Sequence, residues 1–242
     1  MSIDLSRVKA LCFDVDGTLA DTDDYAVARV ANILQRVPLM SARRAARVAR
    51  QIVMGAESPV NAAYGWLDRM GLDGTLASIK GTNEPLPDDH EPHAMVPDVK
   101  EMLDILVKRY PMSTISTGSG PRVEAFLEHY QVRDHFTCVV TAQTTPRMKP
   151  FPDPLFHAAK AMGVSPEQCL MIGDTTVDMR TAVAAGAQSV GVLCGFGKED
   201  ELRRRGAGLI LKTTSDLLGV LCPEDDPLES ESAVPETQEE PA

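Results

Sequence analysis

At 242 residues, of which 43% are hydrophobic, the chain can bury one sizeable core, or a core with a smaller insert. Its apolar runs are too short to span a bilayer and its N-terminus, MSIDLSRVKA, lacks an apolar signal stretch, so neither a membrane protein nor a secreted one is expected. The formal charge of −11 is concentrated at one end: eight acids and no Lys or Arg fall in residues 223–242, and the −3 left for the body gives no reason to expect nucleic-acid binding.

The first predicted element is the apolar run Val8–Phe13, a strand that leads directly into Asp14-Val15-Asp16-Gly17-Thr18-Leu19. The character then changes. Tyr25–Val37, Ala42–Met54 and Pro59–Met70 carry helical patterning, broken by Pro38, Gly55 and Gly71, with no convincing strand among them. Gly81–His93 is polar and contains proline, and reads as a loop or hinge. From there short β-like runs alternate with helices. Pro97 opens a helix with Val99, Met102, Leu103 and Leu106 at helical spacing, followed by a strand at Met112–Ser116. Pro121 opens another helix, with Val123, Phe126, Leu127 and Tyr130 on one face, before a strand at Cys138–Thr141. Asp153 and Pro154 suit an N-cap and first turn, and Gly163 a stop. A strand at Cys169–Ile172 leads to a helix capped by Thr175 or Thr176 and ended by Gly186, and strands follow at Ser189–Leu193 and Leu209–Leu211.

This βα alternation predicts an α/β fold, a Rossmann-like doubly wound parallel sheet. Its core is assigned to residues 1–20 and 94–222, with a helical cap inserted at 21–93. Residues 223–242, proline-containing and almost free of large apolar side chains, are expected to be a disordered acidic tail.

Four places combine chemistry-bearing residues with a strand end or helix start. At Asp14 and Asp16 two acids spaced i, i+2 leave a strand, where alternation can send both to one side. Such a pair can divide into nucleophile or metal ligand and proton shuttle, although a plain acidic turn accounts equally well for the pattern taken alone. Cys169-Leu-Met-Ile-Gly173-Asp174 delivers another acid at a strand end, with Asp178 four residues on. Magnesium takes one or two carboxylates together with phosphate and water, which Asp14 and Asp174 could supply from neighbouring strands. A helix N-terminus stabilised by two acids is the alternative, more credible for Asp178 than for both. In Ile115-Ser116-Thr117-Gly118-Ser119-Gly120-Pro121 a strand passes through a glycine loop into a helix, a natural phosphate cradle or simply a cap. In Lys149-Pro150 the proline biases the lysine toward an extended backbone, directing an ammonium that can offset phosphate charge, where a lone lysine is otherwise a solvated one.

The ordered set Asp-x-Asp-Gly-Thr-Leu, Thr-Gly, Lys-Pro and Gly-Asp-x₃-Asp, with Val-x-Gly-Val behind it, closely resembles the haloacid dehalogenase superfamily over residues 8–211. The insert after the first motif resembles that superfamily's C1 cap, and the chain is most similar to phosphoglycolate-phosphatase-like members. The resemblance implies that Asp14 attacks phosphorus to give an aspartyl-phosphate and that Asp16 acts first as acid, then as base. It implies that Thr117 and the Gly118 amide bind phosphoryl oxygens and that Lys149 neutralises charge. Mg²⁺ would be held by Asp14, the Asp16 backbone carbonyl and Asp174, with Asp178 at or beside the ion. A small phosphorylated metabolite is the implied partner, with no nucleic acid or membrane, in a monomer or dimer.

Haloacid dehalogenases lack the second acid of the first motif, so Asp16 argues against dehalogenation. Phosphonoacetaldehyde hydrolases also depart there and use a cap lysine. Phosphomutases of the β-phosphoglucomutase type keep Asp16 and remain an alternative to a phosphatase. A non-catalytic phosphate- or partner-binding module has no need of a nucleophile and a shuttle together. Within the cap, Arg43, Arg47 and Arg50 share one helical face. They would favour an acidic substrate if they faced it, but a solvated charged face is preferred. Trp66 and Tyr64 read as cap core, and the five histidines are scattered. The five cysteines (Cys12, Cys138, Cys169, Cys194, Cys222) form no CxxC pair or Cys/His cluster, so neither zinc nor a disulfide framework is expected and a reducing cytoplasm is the simplest setting.

Overall fold

The computed structural model describes residues 3–22, 44 and 93–222. After a turn of 3-10 helix at Leu5–Arg7, strand β1 (Ala10–Phe13) is buried along its whole length. Strand β2 (Ala20–Asp21) pairs antiparallel with β3 (Ala94–Met95), joining Ala20 to Met95 and Asp21 to Ala94. Helix α1 (Val99–Leu106), β4 (Met112–Ile115), α2 (Gly120–His129), β5 (Phe136–Val140), α3 (Asp153–Ala161), β6 (Cys169–Gly173), α4 (Thr176–Ala185), β7 (Gln188–Val192), α5 (Glu199–Arg204), β8 (Leu209–Leu211) and α6 (Leu217–Leu221) follow.

Six of the strands form one parallel sheet in the order β5-β4-β1-β6-β7-β8. Parallel strands covered on both faces read as continuous apolar runs, which is why these segments lack polar alternation. Leu11 and Phe13 of β1 enter one layer with Val99, Met102, Leu103 and Leu106 of α1, Phe126 and Leu127 of α2, and Leu217 of α6. Phe13 meets Phe136 of β5 edge-on, with centroids 6.4 Å apart. Ala10 and Cys12 face the other layer, against Leu155, Ala158 and Ala159 of α3 and Ala182 of α4. The result is helix, sheet, helix, with β1 near the centre. The chain leaves β1 for β4 and β5 on one side, then returns to β6, β7 and β8 on the other. The carboxyl ends of β1, β4 and β6 therefore lie at a topological switch point, where open α/β sheets bind ligands.

The doubly wound parallel core agrees with the sequence reading, and Leu209–Leu211 is a strand with the predicted bounds. Three expectations need correction. Asp21, assigned to an insert without strands, lies in β2, because a two-residue ribbon carries no periodicity to read. The helix after Pro97 starts at Val99, with Asp98 in a left-handed conformation (φ 61°) before it. Asp153 is the first residue of α3, and Pro152 occupies its N-cap. Arg44 is helical and exposed, inside the predicted helix 42–54. The other residues of 42–54, Arg43, Arg47 and Arg50 among them, the other two helices predicted for the cap, Tyr64, Trp66 and the acidic segment 223–242 lie outside the described residues.

Candidate active site

Beyond Phe13 the chain does not continue as a strand. The Asp14 amide still donates to the Ile172 carbonyl of β6 at 2.9 Å, and Val15 accepts from the amides of Leu19 and Ala20 at 2.9 and 2.8 Å, closing a tight turn. Gly17 sits in that turn at φ 74°, a conformation that favours glycine, and a Cβ there would lie 2.4 Å from Oδ2 of Asp174. The turn thus brings the first motif against the end of β6. It also separates the two acids. Asp14 is buried, whereas the Asp16 carboxylate is 30% exposed and paired with the guanidinium of Arg122 on α2. The strand alternation invoked to place both acids together does not apply, because both lie past the strand's end.

Asp14, Asp174 and Asp178 converge: one carboxylate oxygen from each falls within 4.8 Å of the others, and all three residues are buried. Lys149 lies among them. Its Nζ is 2.8 Å from Oδ1 of Asp14 and 2.7 Å from Oδ1 of Asp178, with 3% of its side chain exposed. The Lys149-Pro150 peptide is cis. Burial pushes the Asp14 carboxyl up to about 7, Asp178 adds to the rise, and Lys149 opposes it. Burial acts to lower the Lys149 pKa, but the charges of Asp14 and Asp178 outweigh it and raise the ammonium above its ordinary value.

Asp178 serves two purposes. As third residue of α4 it closes a capping box, accepting from the Thr175 amide at 3.0 Å and the Thr175 hydroxyl at 2.6 Å. The helix-stabilising reading of Asp178 is therefore correct, and the same carboxylate also receives Lys149. Asp174 accepts from the Phe196 amide at 2.8 Å and from the Thr18 hydroxyl at 3.3 Å. The loop after β4 stands on Asp16's side of the site: the Gly118 amide donates to the Ser116 hydroxyl at 2.9 Å, and a Cβ on Gly118 would lie 3.6 Å from Oδ2 of Asp16. Thr117 is exposed on this loop.

Three buried carboxylates against one ammonium leave negative charge away from water, a state that a bound cation relieves. All three offer oxygen, so the donor set fits a hard divalent ion. Opposite it, the loop of residues 116–118 stands beside Asp16, with Thr117 exposed.

The sequence profile of the haloacid dehalogenase-like hydrolases matches residues 11–192. The chain belongs to that family. It is similar to a phosphoglycolate phosphatase of Shigella boydii serotype 4 (strain Sb227), with 28% identity over 237 residues, 88% of this chain and 92% of that protein. A phosphoglycolate phosphatase of Chromobacterium violaceum is 28% identical over 227 residues, covering 90% and 99% of the two chains. Solved structures share the fold. A hydrolase from Pseudomonas syringae superposes with a TM-score of 0.58 at 24% identity, covering 88% of this chain and 97% of its own. A Thermotoga maritima protein provisionally assigned as a β-phosphoglucomutase gives 0.58 at 20%, covering 88% and 98%.

Within this haloacid dehalogenase-like frame, the residues singled out from sequence fall into two groups. Asp14, Lys149, Asp174 and Asp178 form one cluster, while Asp16, Thr117 and Gly118 stand at its outer side. Three participants were missed: Arg122 on Asp16, and Thr18 and Phe196 on Asp174. Thr18 belongs to the first motif and could have been found there. Phe196 acts through its backbone amide 22 residues from Asp174, which no side-chain pattern announces.

Among the described residues no helix is long and apolar enough to cross a membrane.

Proposed function

We propose that this chain is a Mg²⁺-dependent phosphoric monoester hydrolase that cleaves a small phosphomonoester through an aspartyl-phosphate on Asp14. The observation that carries the reading is the placement of Asp14: buried at the carboxyl end of β1, with its carboxylate 2.8 Å from the Lys149 ammonium and beside Asp174 and Asp178. Phosphoryl transfer demands little of a protein beyond positioning and neutralisation of charge, and this cluster is built for both.

An Asp14 oxygen attacks phosphorus, and the bond from phosphorus to the leaving alcohol breaks as Asp16 gives that oxygen a proton. Asp16 then takes a proton from water as the water oxygen attacks phosphorus. The Asp14–phosphate bond breaks, phosphate leaves, and Asp14 is again a carboxylate. Asp16 suits the shuttle because it is the acid with access to solvent, outside the buried cluster. Lys149 holds Asp14 in place and offsets charge on the phosphoryl group, to whose oxygens the Thr117 hydroxyl would donate, joined by the Gly118 amide once it turns from the Ser116 hydroxyl. Mg²⁺ would be held by Asp14, the Asp16 carbonyl and Asp174, with Asp178 beside them, and when bound it neutralises phosphoryl charge.

The similarity to phosphoglycolate phosphatases makes phosphoglycolate the first substrate to try, ahead of sugar phosphates and nucleotides. A phosphomutase would use the same groups and differ only in the acceptor of the phosphoryl group. Phosphate release from a panel of phosphomonoesters with Mg²⁺, beside an Asp14→Asn control, tests the reading. Release abolished by EDTA and by the substitution is expected. Phosphoryl transfer between substrate positions with little free phosphate would make the enzyme a mutase, and release unaffected by Asp14→Asn would overturn the mechanism. A soluble cytoplasmic setting is consistent with five cysteines that form no disulfide with one another.

A further inference from the structure

The loop after β7, Cys194-Gly195-Phe196-Gly197, crosses over Asp174. The Phe196 amide donates to Oδ2 of Asp174 at 2.8 Å, while Thr18 donates to Oδ1 at 3.3 Å, so each carboxylate oxygen has a protein donor. The two glycines flanking Phe196 have no conformational need to be glycine. The residues with φ in the left-handed region include Gly17, Gly163, Gly186 and Gly206, but neither Gly195 nor Gly197. What requires them is proximity. A Cβ on Gly195 would lie 2.2 Å from Oδ2 of Asp174 and 2.5 Å from the Gly17 carbonyl oxygen, and one on Gly197 would lie 1.9 Å from the Asp174 carbonyl oxygen. Both positions are thus kept bare by contact with Asp174. The loop is tied down from the other side too: the Cys194 thiol lies 3.5 Å from the Gly17 carbonyl and 3.5 Å from the Thr214 hydroxyl, which itself donates to the Thr18 carbonyl at 2.7 Å.

We propose that Gly195, Phe196 and Gly197, together with Thr18, are positioning residues for the metal-binding carboxylate: they fix the rotation of Asp174 so that it meets the cation without reorganisation. This rests on the reading of Asp174 as a metal ligand. A carboxylate offers about four acceptor sites on two oxygens. The Phe196 amide and Thr18 hydroxyl each take one on a different oxygen, and together they stop the group turning about its Cβ–Cγ bond. Groups that orient a ligand in this way typically contribute ~10–100-fold to metal affinity. Because the donor in the loop is a backbone amide, substitution of Phe196 itself leaves it in place. The lever is the flanking glycine.

Mn²⁺, read by electron paramagnetic resonance of the free aquo ion, reports affinity without turnover. Gly195→Ala, which forces the carboxylate or the loop aside, is expected to weaken Mn²⁺ binding by about 10-fold or more. Thr18→Val, which removes the other anchor with no added bulk, is expected to weaken it several-fold. It also keeps the test decisive should Gly195→Ala fail to fold. Gly219→Ala, where a Cβ meets nothing within 4 Å, is the control and should bind as wild type. Wild-type affinity in folded Gly195→Ala or in Thr18→Val would overturn the proposal, provided Asp174→Asn abolishes binding. If Asp174→Asn also binds Mn²⁺ normally, the metal site itself has been misassigned and the proposal falls with it.

Discussion

Lys149 is the residue on which the site balances. Its ammonium, 3% exposed, touches two of three mutually close carboxylates, and desolvation of so much charge is tolerable only because the pairing is direct. Removing one partner of a buried pair usually destabilises by about 3–5 kcal/mol, since the other charge is left without compensation. Asp14 softens that penalty, because with its pKa already raised to about 7 it can take up a proton instead. Lys149→Met, close in length and apolar, is therefore expected to lose about 3 kcal/mol in EDTA, at the lower end of the range. Mg²⁺ should restore part of it by binding the folded state alone. Turnover should fall by about 10²–10³ even with saturating Mg²⁺, the scale for removal of one preorganised charge-stabilising donor. Denaturant melts with and without Mg²⁺, beside initial rates, check both. A variant as stable as wild type in EDTA would mean that Lys149 is not the counter-charge of the cluster.

At the scale of elements, α4 shows how a helix start becomes part of a site. Thr175 and Asp178 form a capping box: Oδ2 of Asp178 accepts from the Thr175 amide and hydroxyl, while Oδ1 accepts from Lys149. Ser165 and Gln168 make the same box at the opposite end of β6. The two caps separate stability from activity. Thr175→Ala and Ser165→Ala should each destabilise by about 1 kcal/mol, the usual loss for an N-cap. Only Thr175→Ala should also lower kcat/KM, by about 10-fold, through a loosened Asp178. Equal activity in the two variants would reduce Asp178 to a helix cap. The capping signal was legible in the sequence, as were the apolar strand runs and the acids and lysine that end or follow them, because each rests on local periodicity or on a residue type at a boundary. What escaped reading depends on long-range approach or on elements too short to have a period. The β2–β3 ribbon has two residues per strand, Asp98 adopts a left-handed cap after Pro97, Arg122 is one arginine on a helix until α2 brings it to Asp16, and the Phe196 amide has no side chain to announce it.

Across the whole molecule, the strand order makes the charge cluster unavoidable. β1 lies between β4 and β6, so the acid that follows β1 and the acid that follows β6 are neighbours, and α4 brings Asp178 to them. The metal-free fold therefore carries an electrostatic load that depends on pH. Asp14 loses its proton near 3.8 when unfolded and near 7 when folded, burial being the main cause. Between those values the folded state holds more protons than the unfolded one, so this group's contribution to stability is complete below 3.8 and is lost as pH rises through 7. A divalent cation competes with that proton and relieves the ionised cluster. The melting temperature in EDTA should accordingly decline from pH 5 to pH 8, and the gain on adding Mg²⁺ should be small at pH 5 and larger at pH 8. Asp14→Asn, which cannot titrate, should flatten the EDTA profile and shrink the gain at pH 8. Thermal melts at both pH values, with EDTA and with Mg²⁺, for the wild type and this variant, decide the matter. A Mg²⁺ gain equal at both pH values, or greater at pH 5, would place the cation elsewhere than against the carboxylate of Asp14.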